Sequence, residues 1–301
     1  MQPNPTQTIN WRASPTPANR EIQKMPHRLD DQLLDAARAG DKGALEILLE
    51  RYQTKVYRFG MKMCRDPEDA EDVLQDTLLS MARNIHDFRG ASSLSTWLYS
   101  IARSHCVKKR RRSKFAPDAE ISLETAGAEE AASLVDEGRG PDEAVSDREI
   151  VETLEKAIGS LEPIYREVLI LRDVEGLTAP EVAEVLGIKV QAVKSRLHRA
   201  RLAIREDLAH LLVPEESEPA SADPCPDVLP LFSQYLEGDI SPEVCTTMEA
   251  HLERCARCTE RCESLKRTLA LCHSSATAEE VPERVQAAVH AALRRFLGEG
   301  G

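Results

Sequence analysis

Aromatic residues are few: five Phe, five Tyr and two Trp make up 4% of the 301 residues. A core drawn from this chain rests on aliphatic side chains, and strands rich in aromatic and β-branched residues are disfavoured. Alternating apolar and polar runs are scarce, whereas Leu, Ala, Glu and Arg recur at three- and four-residue spacing. The expected fold is therefore all-α. No apolar run reaches the roughly 18 to 20 residues of a membrane span, and the opening MQPNPTQTINWRASPTPANR lacks the apolar centre of a secretion signal. The expectation is a cytoplasmic chain with no membrane partner, whose true start lies either at Met1 or beyond it. Gly-rich phosphate loops are absent, and no nucleophile stands with a base, so no enzymatic activity is expected.

Positive charge is also in deficit, with 39 Lys and Arg against 51 Asp and Glu and a net charge of −12. Such a balance argues against nucleic acid as a partner, because phosphate contacts require cations. The average conceals two concentrated exceptions, IARSHCVKKRRRSK (101–114) and IKVQAVKSRLHRARLAIR (188–205), neither of which contains an acid. Of eight cysteines, six lie beyond residue 224. Without an export signal, metal or thiol chemistry is a better reading of them than a disulfide framework.

Composition divides the chain into seven parts. Residues 1–28 are rich in Pro, Thr, Asn and Gln without periodicity, and are expected to be disordered. A helical domain spans 29–114, with Gly40 and Gly43 marking a turn, Asp66 and Pro67 opening one helix, and a Ser or Thr opening the last. An acidic linker (115–143) leads to a second helical domain (144–212), and a short linker (213–222) to a cysteine-rich segment (223–273). Residues 274–301 read as an amphipathic helix with a packing face.

The second domain contains LTAPEVAEVLGIKVQAVKSRLHRAR (177–201). Thr178 can cap a short helix with Val182, Ala183 and Leu186 inward; Gly187 supplies the turn; and a second helix follows with Val190, Val193 and Leu197 on its buried side. This is helix-turn-helix patterning. Its outward side carries Gln191, Lys194, Ser195, Arg196, His198 and Arg199, donors suited to phosphates and to base edges in a major groove.

In HLERCARC (251–258), His251 and Cys255 stand four apart, one face of a single helix, and Cys258 follows three further on. A tetrahedral zinc site wants a fourth ligand, for which Cys225, Cys245, Cys262 and Cys272 are candidates. The remaining thiols are candidates either for sensing or for packing as small apolar groups.

Three motifs in order, DAEDVLQDTLLSMARN (69–84), FRGASSLSTWLYSIARSHCVKKRRR (88–112) and the 177–201 block, resemble regions 2.2, 2.3 to 2.4 and 4.2 of the extracytoplasmic-function (ECF) sigma factors of the sigma-70 family. The resemblance implies two helical sigma domains joined by the acidic linker, binding core RNA polymerase through its β′ clamp helices and β subunit, and promoter DNA at −35 and −10 elements. It places Asp69, Glu71, Asp72, Gln75 and Asp76 at the clamp. At the −10 element it places an aromatic and polar set, Phe88, Ser92, Ser93, Ser95, Thr96, Trp97 and Tyr99. Arg103, Lys108, Lys109, Arg110, Arg111 and Arg112 follow for the DNA backbone. Trp97, beside Leu98 and Ile101, fits core packing as well as base stacking. SHCVKK (104–109) departs from the acidic or Asn-Asp pattern of many relatives. From Cys225 to Leu269 the chain resembles the zinc-finger domain of zinc-binding anti-sigma factors, which implies Zn2+ held by Cys225, His251, Cys255 and Cys258. The alternative is a one-component helix-turn-helix regulator that binds duplex DNA without polymerase.

Overall fold

A computed structural model describes residues 30–115, 141–212, 225–275 and 281–299. The segments read as a disordered N-terminus and as the 213–222 linker lie outside the described residues, as does 116–140 of the acidic linker. Every regular element among the described residues is helical, as expected.

The chain falls into two compact units. The smaller takes 30–52 and 82–89 of the described residues, and holds helix α1 (30–38), the first part of α2 (Lys42–Cys64) and the end of α3 (Pro67–Asn84) with the 3-10 turn Ile85–Asp87. Leu34, Leu45, Leu48, Leu49 and Ile85 are buried in it. Asp30, also buried, accepts hydrogen bonds from Tyr52 Oη (2.9 Å) and from Arg51.

The larger unit contains everything else that is described. Gly60 lets α2 and α3 approach closely, since a Cβ there would lie 3.2 Å from Ala70 Cα. Asp66 accepts from Asp69 N (2.9 Å) and Pro67 opens α3, the expected cap. Helix α4 (Leu94–Phe115) is capped by Ser93 Oγ, which accepts from Thr96 N (3.1 Å). The 3-10 turn residue Ile85 aside, the core of α3 and α4 here is Val73, Leu74, Leu78, Leu98 and Ala102.

Helices α5 (Pro141–Ser160), α6 (Pro163–Leu169), α7 (Ala179–Leu186) and α8 (Val190–Asp207) pack around Leu154, Ile158, Val168, Leu169, Val182 and Leu197. The buried Arg166 donates to the carbonyls of Ile158 (3.1 Å) and Leu161 (2.9 Å), satisfying acceptors that the end of α5 would otherwise leave bare. Helix α6 widens into a π turn, Ile170–Val174, closed by Glu175 N donating to Ile170 O (2.8 Å). Thr178 and Glu181 form a full capping box on α7, and Gly187 ends it at φ 65°, a left-handed conformation that favours glycine. Val182, Ala183 and Leu186 are buried, as are Val193 and Leu197. Val190, expected inside, is 37% exposed: at the first position of α8 it projects past the end of the packed face.

A short α9 (Ala209–Leu212) follows α8. The cysteine-rich segment forms α10 (Val228–Leu236), α11 (Pro242–Leu252) and α12 (Ala256–Ser274) around Val228, Phe232, Met248 and Leu265, with Leu202 of α8 packed against the same cluster. Gly238, at φ 65°, turns the chain out of α10, and Ser241 caps α11. Helix α13 (Glu283–Glu299) buries Val285, Val289 and Leu293 at helical spacing, the packing face expected of the amphipathic tail.

Candidate nucleic-acid interface and metal centre

Four donors from three places in the chain converge: Cys225 before α10, His251 in the last turn of α11, Cys255 at the cap of α12 and Cys258 in its first turn. Their ligand atoms all lie within 4.8 Å of one another. Cys225 Sγ and Cys255 Sγ are 3.7 Å apart, close to the ~3.8 Å edge of a tetrahedron with bonds of about 2.3 Å. His251 Nε2 is buried without a hydrogen-bond partner in the protein, an orphan that a metal ion would satisfy. Burial, with Cys255 and Cys225 alongside, pushes the Cys258 thiol up to about 12. Such a set is unfavourable as bare thiolates and suited to a divalent cation that replaces the protons. Three thiolates and an imidazole in tetrahedral reach are a donor set for zinc.

The geometry differs from the expected single helix across HLERCARC. Helix α11 ends at Leu252, Cys255 takes extended φ and ψ of −124° and 96°, and α12 begins at Ala256. The break lets His251 face forward from one helix end while Cys258 faces back from the next. Of the spare thiols, Cys262 and Cys272 are buried and Cys245 donates to Glu249 Oε1 at 3.0 Å. None of the three belongs to the metal cluster; in this conformation Cys262 and Cys272 pack as small apolar groups.

On α8, Gln191, Ser195 and Arg199 are exposed, and Arg199 donates to Tyr165 Oη (3.1 Å). Arg196 is half-buried. Lys194 is paired with Asp239 of the metal module at 2.9 Å. His198, expected on the outward side, is half-buried with Nδ1 enclosed and unpartnered. Burial holds its pKa below the ordinary value against the pull of Asp227. The cause is the metal module, whose α10 and α12 pack on α8. Further along, Arg201 is 3% exposed and donates to Asp173 Oδ1 (2.6 Å) and Glu237 Oε1 (2.8 Å), while Glu237 Oε2 accepts from Arg172 (3.2 Å).

The first basic stretch is partly engaged as well. Lys108, Arg110 and Arg111 are exposed, but Arg103 donates to Glu167 (2.9 Å). Lys109 pairs with Asp69 (3.1 Å) and with Asp72, whose hydrogen bond raises the Lys109 pKa above its ordinary value. The side chain of Arg112 lies outside the described residues. Phe88, Thr96 and Tyr99 are buried, whereas Ser92, Ser93, Ser95 and Trp97 are half-buried. Within the acidic set, Asp76 lies 3.4 Å from His105, Glu71 accepts from Arg284 of α13 (3.2 Å), and Gln75 is half-buried.

The residues that sequence reasoning missed are the acids that occupy these cations. Glu175, its side chain 1% exposed, accepts from Arg58 Nε (2.7 Å) and Nη2 (2.6 Å) and from Tyr99 Oη. Lys62 donates to Glu155 (2.6 Å). Helix α4 also packs against α7. Arg172 and Asp173 of the π turn and Glu175 just after it bring the ion pairs with Glu237, Arg201 and Arg58 onto one short stretch of backbone. Their partners are far off in sequence and leave no local pattern.

Taken together, two helical domains, one with a helix-turn-helix, and a fused Cys/His module define a transcription factor of the promoter-recognising class. Family models match in the same order: "Sigma-70 region 2" over 48–115, "Sigma-70, region 4" over 152–204 and "Putative zinc-finger" over 225–259. The chain is 34% identical over 187 residues to RNA polymerase sigma-H factor of Pseudomonas aeruginosa, covering 61% of this chain and 95% of that protein. It is 33% identical over 175 residues to ECF RNA polymerase sigma factor SigW of Bacillus subtilis, covering 57% and 92%. A sigma factor RpoE solved in complex with the anti-sigma factor NepR from Bartonella quintana matches with TM-score 0.45 and 23% identity, over 55% of this chain and 96% of that one. The chain belongs to the ECF RNA polymerase sigma factors.

Proposed function

We propose that this chain directs core RNA polymerase to promoters through the acids of α3, the basic end of α4 and the exposed face of α8, and that its zinc-binding module restrains it in cis. The carrying observation is that α4 packs directly against α7. Elements centred near −35 and −10 are roughly 25 base pairs apart, or roughly 85 Å along B-form DNA at 3.4 Å per pair. Helices in contact cannot read both at once, so the arrangement is a closed one that opens on promoter engagement. The domain limits in this reading are 29–114 for the polymerase-binding domain, 144–212 for the helix-turn-helix domain and 223–273 for the module.

Cys225, His251, Cys255 and Cys258 would hold one Zn2+, which supplies the cross-link that a module with so small a core needs. The zinc has no chemistry to perform; the module's own residues act, with Glu237 and Asp239 engaging Arg201 and Lys194 of α8. Run-off transcription with purified core enzyme tests the reading. The full chain should initiate weakly and a chain ending at Leu212 more strongly, with chelator moving the full chain towards the truncated one. A chain that binds duplex DNA but directs core enzyme to no promoter in either form would make it a helix-turn-helix regulator instead.

A further inference from the structure

Two cysteines lie outside the metal module, and both are in the larger unit: Cys64, the last residue of α2, and Cys106, in the middle of α4. Their sulfurs are 3.4 Å apart. Cys64 is half-buried and Cys106 buried, so one thiol meets solvent and the other stands behind it. The other six differ in their surroundings: three belong to the metal cluster, Cys245 is bonded to Glu249, and Cys262 and Cys272 are buried away from any second thiol hydrogen bond.

We infer that Cys64 and Cys106 are a redox-active dithiol, closed to an intramolecular disulfide by hydroperoxides. A disulfide needs the sulfurs at about 2.05 Å, so they must approach by roughly 1.4 Å, a distance within reach of side-chain adjustment. The roles divide by environment. The hydrogen bond between the two sulfurs holds the Cys64 thiol below its ordinary pKa, with Lys109 acting in the same direction against burial and the charges of Asp69 and Asp66. Cys106 is held well above its own, first by that same hydrogen bond and then by burial. Cys64, the half-buried thiol that a hydroperoxide can reach from solvent, is therefore the attacking thiol, and the buried Cys106 behind it the resolving one.

The Cys64 thiolate attacks one oxygen of a hydroperoxide; the O–O bond breaks, the alcohol or water leaves with a proton, and Cys64 becomes the sulfenic acid. The Cys106 sulfur then attacks the Cys64 sulfur. The S–S bond forms, the S–O bond breaks, and water leaves with the Cys106 proton. Two thiols lose two electrons, and one hydroperoxide becomes one alcohol and one water. The bond would join the end of α2 to α4 two residues before Asp66 and beside Lys109, the cation that holds Asp69 and Asp72. It would do so independently of the metal module.

The test uses the full chain treated with equimolar hydrogen peroxide, then alkylation, proteolysis and peptide mass spectrometry. The expected result is loss of two alkylatable thiols per chain and a reductant-sensitive cross-link between the Cys64 and Cys106 peptides. Cys106→Ala should stop at a Cys64 adduct with a sulfenic-acid trap, and Cys64→Ser should leave Cys106 unmodified. The inference is overturned where Cys64 and Cys106 remain fully alkylatable in wild type while cysteines beyond residue 224 oxidise. Because the decisive measurement is made on wild type, a variant that fails to fold does not rescue it.

Discussion

Glu175→Gln isolates the latch proposed to hold the closed arrangement. The wild-type carboxylate is 1% exposed and takes two hydrogen bonds from Arg58, itself 8% exposed, at 2.7 and 2.6 Å. The amide keeps the shape and one acceptor but removes the charge, depriving a buried guanidinium of this carboxylate. Breaking a buried pair from one side costs about 3 to 5 kcal/mol. That cost falls on the closed form, because in an open one Arg58 is free to hydrate. With about 1.4 kcal/mol per factor of ten, 3 kcal/mol raises the open fraction roughly 100-fold from any low starting value. Run-off transcription at limiting protein reads the change directly, with circular dichroism and zinc content verifying that the variant is folded. A folded Glu175→Gln protein that initiates no better than wild type, while the chain ending at Leu212 initiates well, would refute the latch.

Asp239→Asn should act in the same direction but weakly: its pair with Lys194 is 40% and 21% exposed, and such pairs contribute about 0 to 1 kcal/mol, so output should rise less than about fivefold in the same assay. Cys255→Ser should lower bound zinc from one ion per chain to none by metal analysis, and should raise run-off output to near that of the truncated chain. Gly60→Val should lower the thermal midpoint by an amount equivalent to about 1 to 3 kcal/mol, since its Cβ alone would meet Ala70 backbone at 3.2 to 3.3 Å; a midpoint equal to wild type would show that α2 and α3 can part freely. Thr178→Ala should remove the capping box on α7 and about 1 kcal/mol of stability, measurable by urea denaturation.

What could be read in advance was what has a local spelling. Thr178 with Glu181 and Gly187 spells a helix start and stop, and the structure uses all three. Asp66-Pro67 does the same for α3. The Cys225, His251, Cys255, Cys258 set came through the resemblance, because spacing alone left Cys245, Cys262 and Cys272 equally open. Three features were misread, each because the deciding contact is remote. Val190 fits the apolar period of α8 yet lies beyond its packed face. His198 fits the outward period, yet the metal module covers it. HLERCARC carries helical spacing, yet the chain breaks at Cys255 so that its ligands can converge. The latch was invisible for the same reason: Arg58 and Glu175 are 117 positions apart, and no periodicity encodes their meeting.

Part of the chain's acidity has a structural use. A net charge of −12 argued against a nucleic-acid partner only if the acids were spread as general repulsion. Several acids among the described residues are instead placed as internal counter-ions: Glu167 on Arg103, Asp69 and Asp72 on Lys109, Asp239 on Lys194, Asp173 and Glu237 on Arg201. Arg284 of α13 does the converse, covering Glu71 among the acids proposed to meet polymerase. Each contact proposed with promoter or polymerase at Arg103, Lys109, Lys194 or Glu71 therefore replaces an internal ion pair rather than adding to bare charge. Binding at those positions gains only the difference between two similar electrostatic terms, which is small for the exposed pairs. The buried pairs at Arg58 and Arg201 behave differently, because salt screens them little and hydration of their partners is lost while they stay closed. The exposed pairs can set which partner is preferred, and the buried ones whether the chain opens at all. That division puts control at the π turn and its end, where the module's clamp on Arg172 and the latch at Glu175 stand three positions apart on one backbone.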